Sequence, residues 1–172
     1  MSYDPYELAF PTPTFTLSSP DLARGGALPR ATYARHGGQS PALTWHDLPE
    51  GTRSLLLTAY DADAPVPGGL WHWLLADVPA TAGGLPAGAA SPGGSLPAGA
   101  RPLVNDLGEK RFSGVNPPPG TGTHRLFVAA TALDVEHLEL PDGVSTAMLH
   151  ILAIPHTLGR AVLVGTSQAP DA

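Results

Sequence analysis

The chain has 172 residues and a net charge of −6, because 15 Asp and Glu outnumber 9 Lys and Arg. This length suits one domain, residues 1–172, and 42% apolar against 14% charged residues indicates a packed globule rather than a disordered chain. Lys110 is the only lysine and no basic cluster exists, which excludes nucleic acid as a partner and disfavours an anionic membrane surface. The absence of cysteine excludes disulfides, thiolate nucleophiles and thiolate metal sites.

The N-terminal residues 1–7 carry acids where an export signal would carry basic residues, and no apolar run follows them. No stretch of the sequence approaches the roughly 18 apolar residues of a membrane-spanning helix. We therefore expect a cytoplasmic protein without a transmembrane segment.

Short apolar segments separated by proline- and glycine-rich turns predict a mainly β domain. The predicted strands cover residues 14–17, 54–60, 70–78, 124–133 and 161–166. Residues 80–102 and 112–122 are predicted to be long loops, the first of them on the surface. Residues 144–153 are the one predicted helix, with Ser145 as its N-cap.

Three polar residues stand out against this pattern. Asp61 lies where a buried strand breaks into a loop, His72 lies inside the next strand, and His124 begins a later strand after a stiff proline–glycine loop. Alternation along a strand predicts that Trp71 and Trp73 share one face while His72 lies on the other. An acid at a strand end and a histidine on the next strand suit an Asp–His pair, here Asp61 with His72. The three side chains together predict one small anion-binding pocket.

Arg125 is a candidate for a second anion ligand because it follows His124 directly. Alternation along the strand turns it away from His124, so a structural ion pair with an acid is predicted instead. The other histidines are His36, His46, His137, His150 and His156. None is assigned a function, and His150 is predicted to be solvated on the polar side of the helix.

The motifs of this chain resemble those of the phosphatidylethanolamine-binding protein family, which includes the Raf kinase inhibitor proteins. The resemblance rests on Asp61-x-Asp63-x-Pro65, on the histidine in Trp71-His72-Trp73, and on Pro117-Pro118-x-Gly120-x-Gly122-x-His124-Arg125. The segments 40–45 and 105–108 and the closing helix and strand also fit. The similarity extends from about residue 15 to residue 166 and points to the family's bacterial branch.

The resemblance implies a large antiparallel sheet packed on a smaller sheet, with few short helices. It also implies a phosphate-binding pocket at one end of this sandwich. Carried over to this chain, the pocket's polar residues are Asp61, His72 and His124, its supporting loop holds Asp63 and Pro65, and its rim holds Gly114, Pro117 and Pro118. No catalytic residue, metal or cofactor is implied, and the bacterial relatives suggest a homodimer.

Five positions depart from the family's pattern: Ala62, Phe112, Val115, Asn116 and Leu126. Ala62 replaces a usual proline, while Phe112 and Leu126 stand where tyrosine is common. Leu70 also occupies a place that is often aromatic in the eukaryotic relatives.

Three functions remain open from the sequence. The favoured one is a non-enzymatic protein that binds a small anionic or phosphorylated ligand and modulates an unidentified protein partner. The second is a metal-dependent or hydrolytic enzyme, because two histidines and one carboxylate are a common metal-ligand set. The spacing of these three residues in the sequence matches no compact metal-binding motif. The sequence also lacks the Gly-x-Ser-x-Gly motif that carries the nucleophile of many hydrolases. The third is a kinase or protease inhibitor that acts through surface loops.

Overall fold

A computed structural model describes residues 4–23 and 25–169. The expectation that no export signal is present rests partly on residues 1–3, which lie outside the described residues. The predicted fold class is confirmed, because the described chain forms two antiparallel sheets and one short α-helix. Nowhere in the described ranges is a helix long and apolar enough to cross a membrane.

The strands are β1 (Thr16–Ser18), β2 (Leu43–His46), β3 (Ser54–Asp61), β4 (Leu70–Pro79), β5 (Gly84–Leu85), β6 (Arg101–Pro102), β7 (Thr123–Leu133) and β8 (Thr157–Gln168). The helix α1 spans Thr146–Ala153, and short 3-10 turns span Arg30–Thr32, Ala34–His36, Ala80–Ala82 and Ile154–His156. The smaller sheet has the order β1-β2-β5, and the larger has the order β6-β4-β3-β7-β8.

The larger sheet is the middle of three layers. Residues of β3 with odd numbers, such as Leu55 and Leu57, face the smaller sheet and pack against Trp45. Residues with even numbers, such as Leu56, face α1 and pack against Leu149. Because both faces of β3 are covered, all eight of its residues are buried, which explains the continuous apolar run in the sequence.

The prediction that residues 80–102 form only a surface loop is wrong. This segment contributes β5 to the smaller sheet and β6 to the larger one. Leu85, Ala89 and Ala90 are buried in the core between the sheets. The small side chains of the segment allow it to lie close to the sandwich, and that packing could not be inferred from its loop-like composition.

The predicted helix is confirmed, although it begins two residues later than expected. Ser145 is its N-cap, and the Ser145 side chain accepts a hydrogen bond from the backbone N–H of Met148 at 3.3 Å. Pro155 follows the helix inside a 3-10 turn, since it has no N–H to extend the α-helical ladder. The side chain that anchors the helix on the sheet is Leu149, which is fully buried.

Candidate functional site

A pocket of about 630 Å³ opens at one end of the sandwich, where β3 ends and β4 and β7 begin. Seven of the eight predicted site residues line it: Asp61, Pro65, His72, Gly114, Pro117, Pro118 and His124. The pocket is therefore built from three strand ends and two proline-rich loops that are distant in sequence. The antiparallel pairing of β3 with both neighbours brings these segments together.

A β-bulge in β4 turns His72 toward this pocket. Tyr60 pairs with Trp71 and Ala59 pairs with Trp73, so His72 is one extra residue on its strand. Trp71 consequently lies on the helix side of the sheet, while Trp73 is buried between the sheets. The prediction that both tryptophans share one face is wrong, because strict alternation does not hold across a bulge.

The loop that follows β6 satisfies the backbone of the bulge. The His72 carbonyl accepts hydrogen bonds from the Asn105 side-chain amide at 2.9 Å and from the Ser113 N–H at 2.9 Å. The Asn105 side-chain oxygen accepts from the N–H groups of Leu107 and Glu109, each at 3.0 Å. Asn105 is buried, and it fixes both the loop and the strand segment that carries His72.

The His72 imidazole is held by one nitrogen and leaves the other unpaired. Nδ1 lies 2.7 Å from the Ser113 carbonyl, which can only accept, so Nδ1 carries a proton. Nε2 is buried and has no hydrogen-bond partner among the described residues. A buried polar atom that lines a pocket and lacks a partner indicates that a ligand completes it.

Burial lowers the pKa of His72 from its ordinary value of 6.5. The hydrogen bond to the Ser113 carbonyl and the charges of Asp61 and Asp106 act in the opposite direction, but burial outweighs them. His72 is only 3% exposed, so the free protein holds its ring neutral at pH 7. An anion at Nε2 would favour the protonated ring, because Nε2 donates a hydrogen bond only when it carries a proton.

Asp61 pairs with His124, not with His72 as predicted. The Asp61 carboxylate lies 2.8 Å from His124 Nδ1, and both side chains are buried. On the far side of the ring, Nε2 lies 2.8 Å from the Thr121 hydroxyl, which also lies 2.7 Å from the Pro118 carbonyl. Asp61 is paired with Leu126 across β3 and β7. Its carboxylate therefore reaches His124, which lies two positions before Leu126 on β7.

Asp63 does not line the pocket but holds its loop to β7. Its carboxylate accepts hydrogen bonds from the Arg125 Nε at 2.7 Å, from Nη2 at 2.8 Å and from the backbone N–H of Arg125 at 2.9 Å. These bonds hold the pKa of Asp63 below its ordinary value and raise that of Arg125. The geometry confirms the predicted ion pair between Arg125 and an acid.

Gly114 allows two loops to meet at the rim of the pocket. A Cβ atom on Gly114 would lie 2.6 Å from Ala34 N, 2.6 Å from Gly38 Cα and 2.7 Å from Thr32 O. Backbone atoms at these distances cannot move aside easily, so only glycine fits. Close packing of two loops thus explains why glycine occupies position 114 at the rim.

Sequence reasoning missed several residues of the pocket wall. Glu109 and Arg111 form an ion pair there, and Glu109 also accepts a hydrogen bond from the Ser113 hydroxyl. Thr121 was missed as the partner of His124, although its position three residues before a histidine in a turn was a weak signal. The contacts of Ser113 with His72 had no signal in the sequence, because the two residues are 41 positions apart.

The departures Phe112 and Leu126 lie in the core rather than in the pocket. Phe112 is fully buried and makes an edge-to-face contact with Trp73 at 6.1 Å between ring centroids. Leu126 is also buried between the sheets. Two other unusual positions, Leu70 and Asn116, do line the pocket.

The charges in the pocket are balanced only when a histidine is protonated. The formal charges of Asp61 and Glu109 are negative and that of Arg111 is positive, so the site has a net charge of −1 with neutral imidazoles. Binding an anion should therefore be coupled to proton uptake. Within residues 4–23 and 25–169, no group of three His, Asp or Glu side chains is arranged to hold a metal ion.

Comparison with known sequences identifies relatives across nearly the whole fold. Residues 18–168 match the sequence model of the phosphatidylethanolamine-binding protein family. The protein YbhB of Escherichia coli K12 is 37% identical over 150 residues, which cover 84% of this chain and 94% of YbhB.

Two solved structures share the fold. The crystal structure of Escherichia coli YbcL, described as a member of the mammalian PEBP family, aligns with a TM-score of 0.82 and 32% identity over 90% of this chain and 98% of that one. CT736 from Chlamydia trachomatis, described as a homologue of phosphatidylethanolamine-binding protein, aligns with a TM-score of 0.79 and 27% identity over 91% of this chain and 99% of that one.

Proposed function

This chain belongs to the phosphatidylethanolamine-binding protein family, and on that premise we propose that it binds a small phosphorylated or similar anionic ligand between His72 and His124 without chemically changing it. The observation that carries the proposal is the unpaired Nε2 of His72, which is buried at the wall of the pocket. A phosphoryl oxygen would supply the missing hydrogen-bond partner once the ring takes up a second proton, because Nε2 donates only when it is protonated.

The second imidazole supports the same ligand class. His124 is oriented by Asp61, and its Nε2 contacts Thr121, whose hydroxyl can rotate toward either His124 or the Pro118 carbonyl. The pocket therefore offers one vacant nitrogen and one nitrogen whose partner can change. A ligand with several acceptor oxygens, such as a phosphoryl group, matches this arrangement when it binds together with a proton.

The carboxylates in the pocket favour a ligand that carries a positive group beside its anion. Asp61 and Glu109 would repel a bare dianion, whereas an ammonium group on the same molecule would offset that repulsion. We expect O-phosphoethanolamine to bind more tightly than inorganic phosphate for this reason.

Isothermal titration calorimetry with inorganic phosphate, O-phosphoethanolamine and ethanolamine tests the proposal. His72→Leu should weaken O-phosphoethanolamine binding by about tenfold or more, since it removes a hydrogen bond to a charged group. His46→Leu is the matched control, because His46 is exposed and does not line the pocket. If neither inorganic phosphate nor O-phosphoethanolamine binds, the proposed ligand class is refuted.

A second measurement tests whether the site is non-catalytic. The ³¹P spectrum of O-phosphoethanolamine should remain unchanged during prolonged incubation with stoichiometric protein. Release of inorganic phosphate that is lost in His72→Leu would instead establish hydrolysis at this site.

A further inference from the structure

A second cavity, of about 370 Å³, lies on the opposite face of the larger sheet from the His72 pocket. Its walls come from the N-terminal segment before β1, from the sheet and from α1. Most of the lining is apolar, and the side chains used below are Tyr6, Phe10, Trp71, His150, Ile151 and Arg160. The N-terminal wall precedes residue 18, where the family match begins.

Arg160 brings a positive charge to this apolar cavity. Its guanidinium lies 5.0 Å from the centre of the Phe10 ring and 5.8 Å from that of the Tyr6 ring. Burial lowers the pKa of Arg160 and raises that of Tyr6 to about 12. Tyr6 is therefore neutral under ordinary conditions and does not neutralise the arginine.

The other arginines near the core differ from Arg160 in having a carboxylate partner. Arg101 pairs with Asp77, Arg111 with Glu109, and Arg125 with Asp63. Across the described ranges, Arg160 forms no ion pair with an acid. A half-buried guanidinium without a carboxylate retains unmet hydrogen-bonding capacity that a ligand carboxylate could satisfy in a bidentate manner.

The opposite wall of the cavity suits the apolar part of such a ligand. The Trp71 ring contacts His150 in a tilted arrangement, with 4.5 Å between ring centroids and 39° between the ring planes, which gives a broad aromatic surface. His150 was predicted to be solvated, but it is partly buried, and burial lowers its pKa from the ordinary value of 6.5, so it is neutral at pH 7. Ile151 is 55% exposed at the edge of the helix, so it adds an apolar rim.

We propose that this cavity binds a small monocarboxylate with an apolar body, the carboxylate on Arg160 and the body against Trp71 and Ile151. The volume suits a ligand of this size, because binding pockets for small molecules begin at roughly 300 Å³. The site is independent of the His72 pocket and of the function proposed for it.

Octanoate and 1-octanol are matched probes, since they have eight carbons each and differ in charge. In ¹⁵N-labelled protein, octanoate should shift the Trp71 indole N–H and the Arg160 resonances and leave the His72 imidazole resonances unchanged. It should bind about tenfold or more tightly than octanol, which lacks the charged hydrogen bonds. Equal affinities, no binding, or shifts centred on His72 would overturn the proposal.

Amino-acid substitutions distinguish octanoate binding at this site from a nonspecific effect of charge. Arg160→Met keeps the apolar stem and should reduce octanoate affinity about tenfold or more, to the level of octanol. Arg53→Met removes the same charge from an exposed position outside the cavity and should leave the affinity unchanged. If Arg160→Met does not fold, Ala9→Trp fills the cavity from its N-terminal wall and should abolish octanoate binding. Unchanged affinity in the folded variant that is tested would refute the site.

Discussion

His72 shows how one residue links the conformation of a strand to ligand chemistry. The bulge points its ring into the pocket, the Ser113 carbonyl fixes the proton on Nδ1, and Nε2 remains vacant. Burial holds the pKa below 6.5, so the free protein carries a neutral ring at pH 7. Binding of an anion that accepts from Nε2 must therefore be accompanied by protonation of the ring.

Sulfate affinity should consequently rise as pH falls. Sulfate does not titrate in this range, so the proton must be taken up by the protein. The increase should approach tenfold per pH unit above the pKa of His72 in the free protein and level off below it. Calorimetry from pH 8 to pH 5 measures the slope, and His72→Gln, which cannot titrate, should remove it. A wild-type slope of zero would show that the bound anion does not require a protonated His72.

The Asp63–Arg125 pair is a second prediction at the scale of single residues. Asp63→Ala should reduce the free energy of unfolding by about 1–3 kcal/mol, because it removes charge-assisted hydrogen bonds to both the side chain and the backbone of Arg125. Urea unfolding measures the change. Glu139→Ala provides a control, since Glu139 is exposed. Equal stability of the two variants would contradict the role of Asp63 in holding its loop to β7.

At the scale of elements, the helix α1 depends on its N-cap because it is only eight residues long. A helix this short is marginal without tertiary packing and satisfied ends. The Ser145 hydroxyl supplies the acceptor for the Met148 N–H, and Leu149 anchors the helix on the sheet. The helix also forms one wall of the second cavity.

Ser145→Ala should lower the free energy of unfolding by about 1 kcal/mol, because it leaves the Met148 N–H without its side-chain acceptor. Ser145→Asp should retain most of the stability, since a carboxylate also caps and interacts favourably with the helix dipole. Thermal unfolding followed by circular dichroism compares the variants. If Ser145→Ala and Ser145→Asp lose the same stability, the loss of the N-cap hydrogen bond is not its cause.

The β-bulge in β4 is an element-scale feature that sequence periodicity could not reveal. Trp71-His72-Trp73 alternates perfectly in composition, so a regular strand was the natural prediction. The bulge is stabilised by the loop that carries Asn105 and Ser113, and its hydrogen bonds reach across more than 30 positions. Local patterns contain no information on such a partner.

At the scale of the whole molecule, two histidines with lowered pKa values, buried His72 and partly buried His150, should make stability depend on pH. The pKa values of His72 and His150 are both lowered in the folded protein. The unfolded chain binds protons more readily at these positions, so stability is retained at high pH and falls as pH drops below about 6.5.

The free energy of unfolding should decrease between pH 7.5 and 5.5, by at most about 1.4 kcal/mol per pH unit for each of the two histidines. Urea unfolding at these pH values gives the slope. His150→Phe keeps a ring against Trp71 and should reduce the slope, whereas His46→Phe changes an exposed histidine and should not. A stability that rises on acidification would contradict the lowered pKa values.

Local sequence patterns were sufficient to predict the class of fold, most strands, the helix cap and seven of the eight residues assigned to the first pocket. Those predictions depend on local signals: buried apolar runs, proline and glycine turns, and motif residues whose spacing resembles a known family. These predictions were correct where the local preference of the sequence agreed with the packing of the whole fold.

The packing of distant segments set which residues pair within the pocket. It assigned Asp61 to His124, placed Trp71 and Trp73 on opposite faces, and drew Ala89 into the core. It also enclosed Arg160 and His150 in a second cavity. These outcomes depend on the bulge, on strand register and on contacts between distant segments, which are fixed by the packing of the whole sandwich rather than by any short stretch of sequence.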